Sequence, residues 1–112
     1  LSSQSVADVC WTNTLKSIDV CLRNNVVPIV WTSPPASGLG TSGNAIRRTQ
    51  NARVMALPDS VIKLDFSLVL ADPANADQLL AAYNSGDDTH WNYAGYGAAA
   101  VYATPILAAS GL

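Results

Sequence analysis

The chain has 112 residues, 49% of them apolar and 12% charged, with a formal net charge of −2. This length is that of one domain or less, and the composition is too apolar for a disordered chain. No basic stripe suggests a nucleic-acid partner, and no apolar run is long enough to cross a bilayer. The opening Leu1-Ser2-Ser3-Gln4 lacks an initiator Met and a signal-peptide core, so we expect a processed product or part of a longer chain.

The first predicted element is a helix from about Val6 to Arg23. Its apolar residues recur at three- and four-residue steps: Ala7, Trp11, Leu15, Ile18 and Leu22. Cys10 and Cys21 lie on the same helix, so their Cα atoms would be about 16 Å apart, whereas a disulfide needs less than about 7 Å. We therefore expect buried thiols at the edge of the stripe, or a bridge from one of them to a segment outside this sequence.

A strand follows, from Val26 to Thr32, apolar on both faces as parallel central strands are. Ser33-Pro34-Pro35 ends it. Ligand sites of α/β sheets lie at the carboxyl ends of strands, so Thr32, Ser33 and the loop to Gly43 are expected to border a substrate cleft. Ser33 is not expected to be a nucleophile, because two prolines follow it where a nucleophile elbow runs into a helix.

A second helix is predicted from Ala45 to Leu57, capped by Asn44, with a solvated face formed by Arg47, Arg48 and Arg53. The second strand is predicted from Val61 to Phe66. Asp65 near its end is interpreted as a cap for nearby backbone in preference to a functional carboxylate.

The last third of the chain begins with Asp72-Pro73, which we interpret as the N-cap and first position of a short helix running to Tyr83. Asn84-Ser85-Gly86 is a turn. The final helix is predicted from Tyr93 to Ala109, with a kink or stop at Pro105.

Between this turn and the final helix stands the only histidine of the protein, His90, three residues after Asp87. A carboxylate on the same tight turn can orient the imidazole, which leaves the other ring nitrogen as a base. The helix start at Asn92 favours a neutral ring. A solvated histidine in an ordinary polar turn is the plainer alternative. A metal site with Asp88 as third ligand has less support, because no second His or paired Cys stands nearby.

The block Asp87-x-x-His90 followed by Asn92-x-x-Gly95-Tyr96 resembles the last conserved block of the SGNH (GDSL-type) hydrolases. Upstream, the segments from Val27 to Pro35 and from Val61 to Phe66 resemble the last two core strands of that family. The resemblance implies an α/β fold, a three-layer α/β/α flavodoxin-like sheet of which this chain carries the last two parallel strands and their helices. Residues 1–112 would be the C-terminal part of a single domain. The family's Gly-Asp-Ser, oxyanion-glycine and Gly-x-Asn-Asp blocks are absent from the sequence.

The same resemblance implies a serine esterase in which Asp87 and His90 are two members of a Ser-His-Asp triad. The serine would lie on an N-terminal segment outside this sequence, and the chain is expected to be inactive without it. Trp91 is interpreted either as a wall of the cleft or as an aromatic packed under the final helix. Small esters, such as acetylated saccharides or lipids, are the expected substrates, with no cofactor and no metal. The many Asn, Ser and Thr residues favour an extracellular, carbohydrate-type enzyme.

A missing segment is also expected on physical grounds, because the first strand would otherwise expose an apolar edge. Two alternatives to half of an enzyme stay open at this point. One is a non-catalytic binding or assembly module that keeps the fold. The other is a piece produced by proteolysis or expression, with the serine segment encoded upstream.

Overall fold

The computed structural model describes residues 3–112, so Leu1 and Ser2 of the predicted domain lie outside the described residues. Helices and strands alternate along the first two thirds of the chain. The elements, in order, are α1 (Gln4–Arg23), β1 (Ile29–Trp31), α2 (Gly40–Met55), β2 (Ile62–Leu64), α3 (Phe66–Leu70), β3 (Ala71–Asp72), β4 (Asn75–Leu79) and α4 (Tyr93–Ala109). Short 3₁₀ turns cover Ser37–Leu39 and Ala81–Tyr83.

A parallel pair of strands forms the centre, with Ile29 opposite Ile62 and Trp31 opposite Leu64. Successive side chains of a strand point to opposite faces. On one face Val30 packs, with Trp11, against a cluster of Ile18 from α1, Leu57 and Val61. On the other face Ile62 and Leu64 pack against α4 through Ala103, Ile106 and Leu107. Helices on both faces of a parallel sheet confirm the predicted three-layer α/β/α arrangement.

The outer edge of β1 has no neighbouring strand among residues 3–112. On the α4 face, Trp31 is 57% exposed, because α4 covers β2 and leaves β1 open. Val26, Val27 and Ile29, in and just before β1, are exposed large apolar residues. Helix α1 also exposes Val6, Val9, Leu15, Val20 and Leu22. A two-stranded sheet of this kind is marginal by itself. The bare side expected from the sequence is therefore present in the described part of the chain.

Both predicted parallel strands are present but shorter than expected, at three residues each. The α1 and α4 helices lie close to their predicted ranges, with Ser3 capping α1 and Asn92 capping α4. Pro105 does not stop α4, which continues to Ala109. None of the helices formed by residues 3–112 has the length and apolar character needed to span a membrane.

The predicted helix from Asp72 to Tyr83 is wrong, because this segment forms the antiparallel hairpin of β3 and β4. Asp72 does start a local structure, but its Oδ1 accepts from the Ala74 amide at 2.9 Å and so closes a turn. An Asp-Pro pair suits a turn as well as a helix start. The Ala76 carbonyl, which a helix would have used internally, instead accepts from Arg47.

Asn44 does not cap α2, which begins at Gly40 and buries Asn44 within its second turn. The Asn44 Nδ2 donates to the carbonyls of Ala36 and Gly40 at 3.1 Å. Its Oδ1 accepts from Arg47, so Arg47 does not belong to a solvated face either. Helix α2 thus starts about one turn earlier than the cap pattern indicated.

The expectation of two buried thiols is wrong for Cys10, which is exposed, whereas Cys21 is half-buried. Among the described residues neither thiol forms a disulfide, and their separation on one helix excludes a bridge between the two. The two side chains line one groove between α1 and β1 together with Ile18 and Ile29. This groove adjoins the open edge of β1.

Candidate functional site

The loop that carries His90 is closed at its neck by backbone pairing. Asn84 pairs with Trp91 in an antiparallel bridge, and the Ser85 amide donates to the His90 carbonyl at 3.0 Å. One step further along, the Asn92 amide donates to the Tyr83 carbonyl at 2.9 Å. These backbone hydrogen bonds therefore hold the two ends of the loop together.

Asn92 joins this neck to α4. Its Oδ1 accepts from the Gly95 amide at 3.0 Å, which makes it the N-cap of the helix, and its Nδ2 donates to the carbonyls of Ala82 and Asn84. The N-terminal end of α4 is thereby fixed directly behind His90.

Asp87 and His90 form a close polar contact within the loop. The His90 Nδ1 lies 2.5 Å from the Asp87 Oδ2. The other carboxylate oxygen, Oδ1, accepts from the amides of His90 at 2.8 Å and Thr89 at 3.0 Å, and from the Ser85 hydroxyl at 2.9 Å. These donors, the His90 amide and ring first, hold the pKa of Asp87 well below its ordinary value.

An ionised carboxylate can only accept hydrogen bonds, so the His90 Nδ1 must carry the proton that is shared with Asp87. In the neutral ring the lone pair then lies on Nε2. Within residues 3–112, Nε2 makes no hydrogen bond, and the His90 side chain is 74% exposed. The arrangement can therefore accept a proton at Nε2 while Asp87 stabilises the imidazolium that results. The described residues contain no group of three His, Cys, Asp or Glu side chains placed to hold a metal ion.

Trp91 contributes packing behind the loop. Its ring contacts Phe66 edge-on, with centroids 5.7 Å apart, and lies 5.1 Å from the ring of Tyr96 on α4. Of the two interpretations, the aromatic packed under the final helix agrees with these contacts. Gly95 permits this packing, because a Cβ at that position would come within 3.0 Å of the Trp91 Cβ.

Thr32 and Ser33 take different positions at the end of β1. Thr32 is fully buried; its hydroxyl donates to the Asp65 Oδ1 at 2.8 Å and accepts from the Ser67 amide at 2.9 Å. Asp65 also caps α3, which is the backbone-capping role expected for it. Ser33 is exposed, and the Asn51 side chain binds both its amide and its carbonyl. The Thr32 hydroxyl thus joins the ends of the two strands and has no donor left for a substrate.

The loop that follows β1 does reach the His90 loop. The Ser37 amide donates to the Asp88 carbonyl at 3.1 Å, and Gly38 lies against the Thr89 hydroxyl. Thr32, by contrast, lines a cavity of about 530 Å³ between α2, α3 and the hairpin. Neither Asp87 nor His90 lines that cavity. The structure therefore brings the post-β1 loop, but not Thr32, to the loop that carries His90.

Sequence reasoning missed Arg47, whose guanidinium makes five hydrogen bonds to other described residues. It is 3% exposed and lies on the same helical face as Val54, seven residues later. Val54 is an apolar residue of the predicted helix, so its seven-residue spacing to Arg47 was an available signal for burial. Asn84, which bonds several backbone groups of the His90 loop, was interpreted only as turn composition and gave no comparable signal.

Comparison with known proteins adds fold-level evidence. No protein-family model matches the sequence, and no curated protein matches it. Among solved structures, the chain is similar to a protein assigned as lipolytic and of the G-D-S-L family from Desulfitobacterium hafniense, with 18% identity and a TM-score of 0.69 over 89% of this chain and 55% of that one. It is also similar to a GDSL-like lipase from Bacteroides thetaiotaomicron, with 18% identity and a TM-score of 0.75 over 92% of this chain and 53% of that one.

A protein assigned as an acylhydrolase from Bacteroides fragilis gives 19% identity and a TM-score of 0.76, over 93% of this chain and 52% of that one. The chain thus spans about half the length of each of these structures. At this level of identity the likeness establishes the fold. The described part of the chain therefore has the fold of the GDSL-type hydrolases, as the Asp87-x-x-His90 block indicated.

Proposed function

We propose that this chain supplies the His and Asp of an ester hydrolase that uses a Ser-His-Asp triad. The observation that carries the proposal is the 2.5 Å contact between the His90 Nδ1 and the Asp87 Oδ2 on a ring whose Nε2 is exposed. A solvated turn histidine would not need a carboxylate that is itself held by three further donors.

In the proposed reaction, the His90 Nε2 takes the proton of a serine hydroxyl as the serine attacks the ester carbonyl. It then gives that proton to the leaving alcohol, and the acyl-enzyme is hydrolysed by water in the same way. Asp87 keeps the ring in the Nδ1–H form and stabilises the imidazolium. The depressed pKa of Asp87 supports this role, because the carboxylate stays ionised where the reaction runs.

The serine, in this proposal, belongs to a complementary segment of the same hydrolase domain. The open edge of β1 and the apolar residues around it support a segment that extends the sheet on that side. This chain covers only about half of each similar structure, and this supports the same view, since those structures are about twice as long as the region that matches.

The proposed substrates are small esters of carbohydrate or lipid alcohols. The similar structures are described as lipolytic proteins and an acylhydrolase, which supports acyl esters as the class. Residues of the post-β1 loop beside Asp88, such as Ser37 and Gly38, are the best placed of the described residues to border the bound ester.

The test combines the chain with the proposed serine-bearing segment and measures hydrolysis of p-nitrophenyl acetate. Turnover should appear only in the mixture, and His90→Gln should abolish it. Asp87→Asn should lower kcat on the order of 10⁴-fold, as the loss of a triad carboxylate does. Asp59→Asn is the matched control, because Asp59 is exposed and bonds only Lys63; its activity should equal that of the wild type.

A fluorophosphonate probe should label a serine of the complementary segment, and His90→Gln should suppress the labelling. The alternative, a non-catalytic assembly module, is favoured by the same apolar edge. It predicts a tight complex of the two segments that has no turnover and is indifferent to His90→Gln. That result would refute the hydrolase proposal.

A further inference from the structure

Asn84 makes an unusual set of contacts inside the His90 loop. Its Oδ1 accepts from two backbone amides, those of Gly86 at 2.8 Å and Asp88 at 3.1 Å. Its Nδ2 donates to the Asp88 Oδ1 at 2.5 Å. One carboxamide therefore bonds the residues on both sides of Asp87.

Those two neighbours adopt the conformation that most needs support. Gly86 has φ 107° and Asp88 has φ 58°, so Asp87 lies between two residues in the positive-φ region. A non-glycine residue such as Asp88 adopts this conformation at a cost, and it persists where surrounding contacts fix it. Since the Asn84 carboxamide bonds both neighbours, it fixes the direction in which the Asp87 side chain leaves the backbone.

The donors that hold Asp87 depend on the same loop shape. The Ser85 hydroxyl and the amides of Thr89 and His90 all bond one carboxylate oxygen, which leaves the other oxygen for the imidazole. A turn that relaxed at Asp88 would displace these donors together. The consequence would be a ring without a fixed tautomer.

We propose that Asn84 is a positioning residue for the Asp87–His90 pair: it fixes the turn around Asp87, and thereby keeps the imidazole proton on Nδ1 and the base at Nε2. The catalytic part of this inference rests on the proposed function. Its structural part does not, because the tautomer of the ring can be measured on the chain alone.

The measurement uses ¹⁵N shifts of the imidazole, read through its carbon-bound protons at a pH where the ring is neutral. His90 is the only histidine, so one ring gives the whole signal. In the wild type the Nδ1–H form should dominate. Asn84→Ala should lower the ratio of Nδ1–H to Nε2–H by about threefold or more, the change that loss of one ordinary hydrogen bond produces.

Two further variants separate positioning from general stability. Asn75→Ala is the matched control, because Asn75 also accepts an amide two residues ahead, that of Asp77 at 3.1 Å, but in the hairpin; its tautomer ratio should equal that of the wild type. Asn84→Ala combined with Asp88→Gly should recover part of the ratio, because glycine adopts positive φ without strain.

A folded Asn84→Ala variant with the wild-type ratio would overturn the inference. So would a folded double variant that recovers nothing, or failure of both variants to fold while Asn75→Ala folds, since Asn84 would then serve the fold as a whole. In the reconstituted enzyme, Asn84→Ala should lower kcat on the order of 10- to 100-fold with little change in KM. If the tautomer shifts as expected but no hydrolysis is found in any form, the proposed function fails and the positioning role stands.

Discussion

Replacement of Arg47 by methionine should be among the most destabilising single changes in this chain. The guanidinium has five N–H donors, and all five hydrogen bonds are made. Their acceptors are the Asn44 Oδ1, the Ser33 carbonyl, the Ser67 hydroxyl, the Ala76 carbonyl and the Asp77 Oδ1. The side chain thus joins α2 to the end of β1, to α3 and to the hairpin.

The size of the effect follows from what each acceptor retains. Ser33 keeps the Asn51 side chain, and Asp77 keeps the Arg48 guanidinium. The Asn44 Oδ1 is buried and loses its partner. A buried polar group left without a partner costs about 1–3 kcal/mol. Asp77 is partly exposed and keeps a cation beside it, so no uncompensated buried charge adds to this cost. Because a domain is stable by only about 5–15 kcal/mol, Arg47→Met should remove a large share of the free energy of unfolding.

Urea denaturation followed by circular dichroism measures this difference. The matched control is Arg48→Met, because Arg48 is its sequence neighbour and bonds only Asp77 from a half-exposed position; its cost should be about 0–1 kcal/mol. Arg47→Lys should fall between the two, since an ammonium keeps the charge but not the five-donor fork. An Arg47→Met variant within 1 kcal/mol of Arg48→Met, as a rough threshold, would refute the reasoning.

Two other predictions use thermal and acid stability. Gly95→Ala should lower the free energy of unfolding by about 1–3 kcal/mol, because the new Cβ would lie 3.2 Å from the Tyr83 carbonyl. Gly97→Ala in the same helix meets no atom within 4 Å and should be neutral or stabilising by about 0.5–1 kcal/mol; equal melting temperatures for the two variants would contradict this. Hydrogen bonds from the His90 amide and ring depress the pKa of Asp87 in the folded state. The ionised carboxylate therefore stabilises the fold fully above the unfolded pKa of about 3.9, and this stabilisation is lost as pH falls through the lower folded pKa. The carboxyl ¹³C shift of Asp87 should accordingly stay constant from pH 7 to about pH 3, and a titration midpoint near the ordinary aspartate pKa of about 3.9 would argue against the contacts described.

Features that depend on neighbours in sequence were predictable. Asp87 and His90 are three residues apart on a turn, and their contact needs no distant partner. The same is true of α4, whose start is set by the Asn92 side chain and the Gly95 amide. Local hydrogen bonds and capping preferences are sufficient for both.

Features that depend on distant partners could not be predicted from the sequence. The segment after Asp72 carries a plausible helix start, but its backbone pairs as a hairpin and gives a carbonyl to Arg47, 29 residues away. A tertiary contact overrode local preference there. The true start of α2 was missed for a more local reason, since Asn44 bonds Arg47, three residues ahead, and the Ala36 carbonyl, eight residues back, instead of capping the helix.

The open edge of β1 has a consequence for how this chain behaves as it folds. The unpaired main-chain N–H and C=O groups of this edge can form strand pairing with any extended segment, including Ile29–Trp31 of a second molecule. Docking of the proposed complementary segment would therefore compete with self-association. Self-association is second order in this chain, so lowering the concentration of this chain during refolding, at a fixed concentration of that segment, should shift the yield toward the complex of the two.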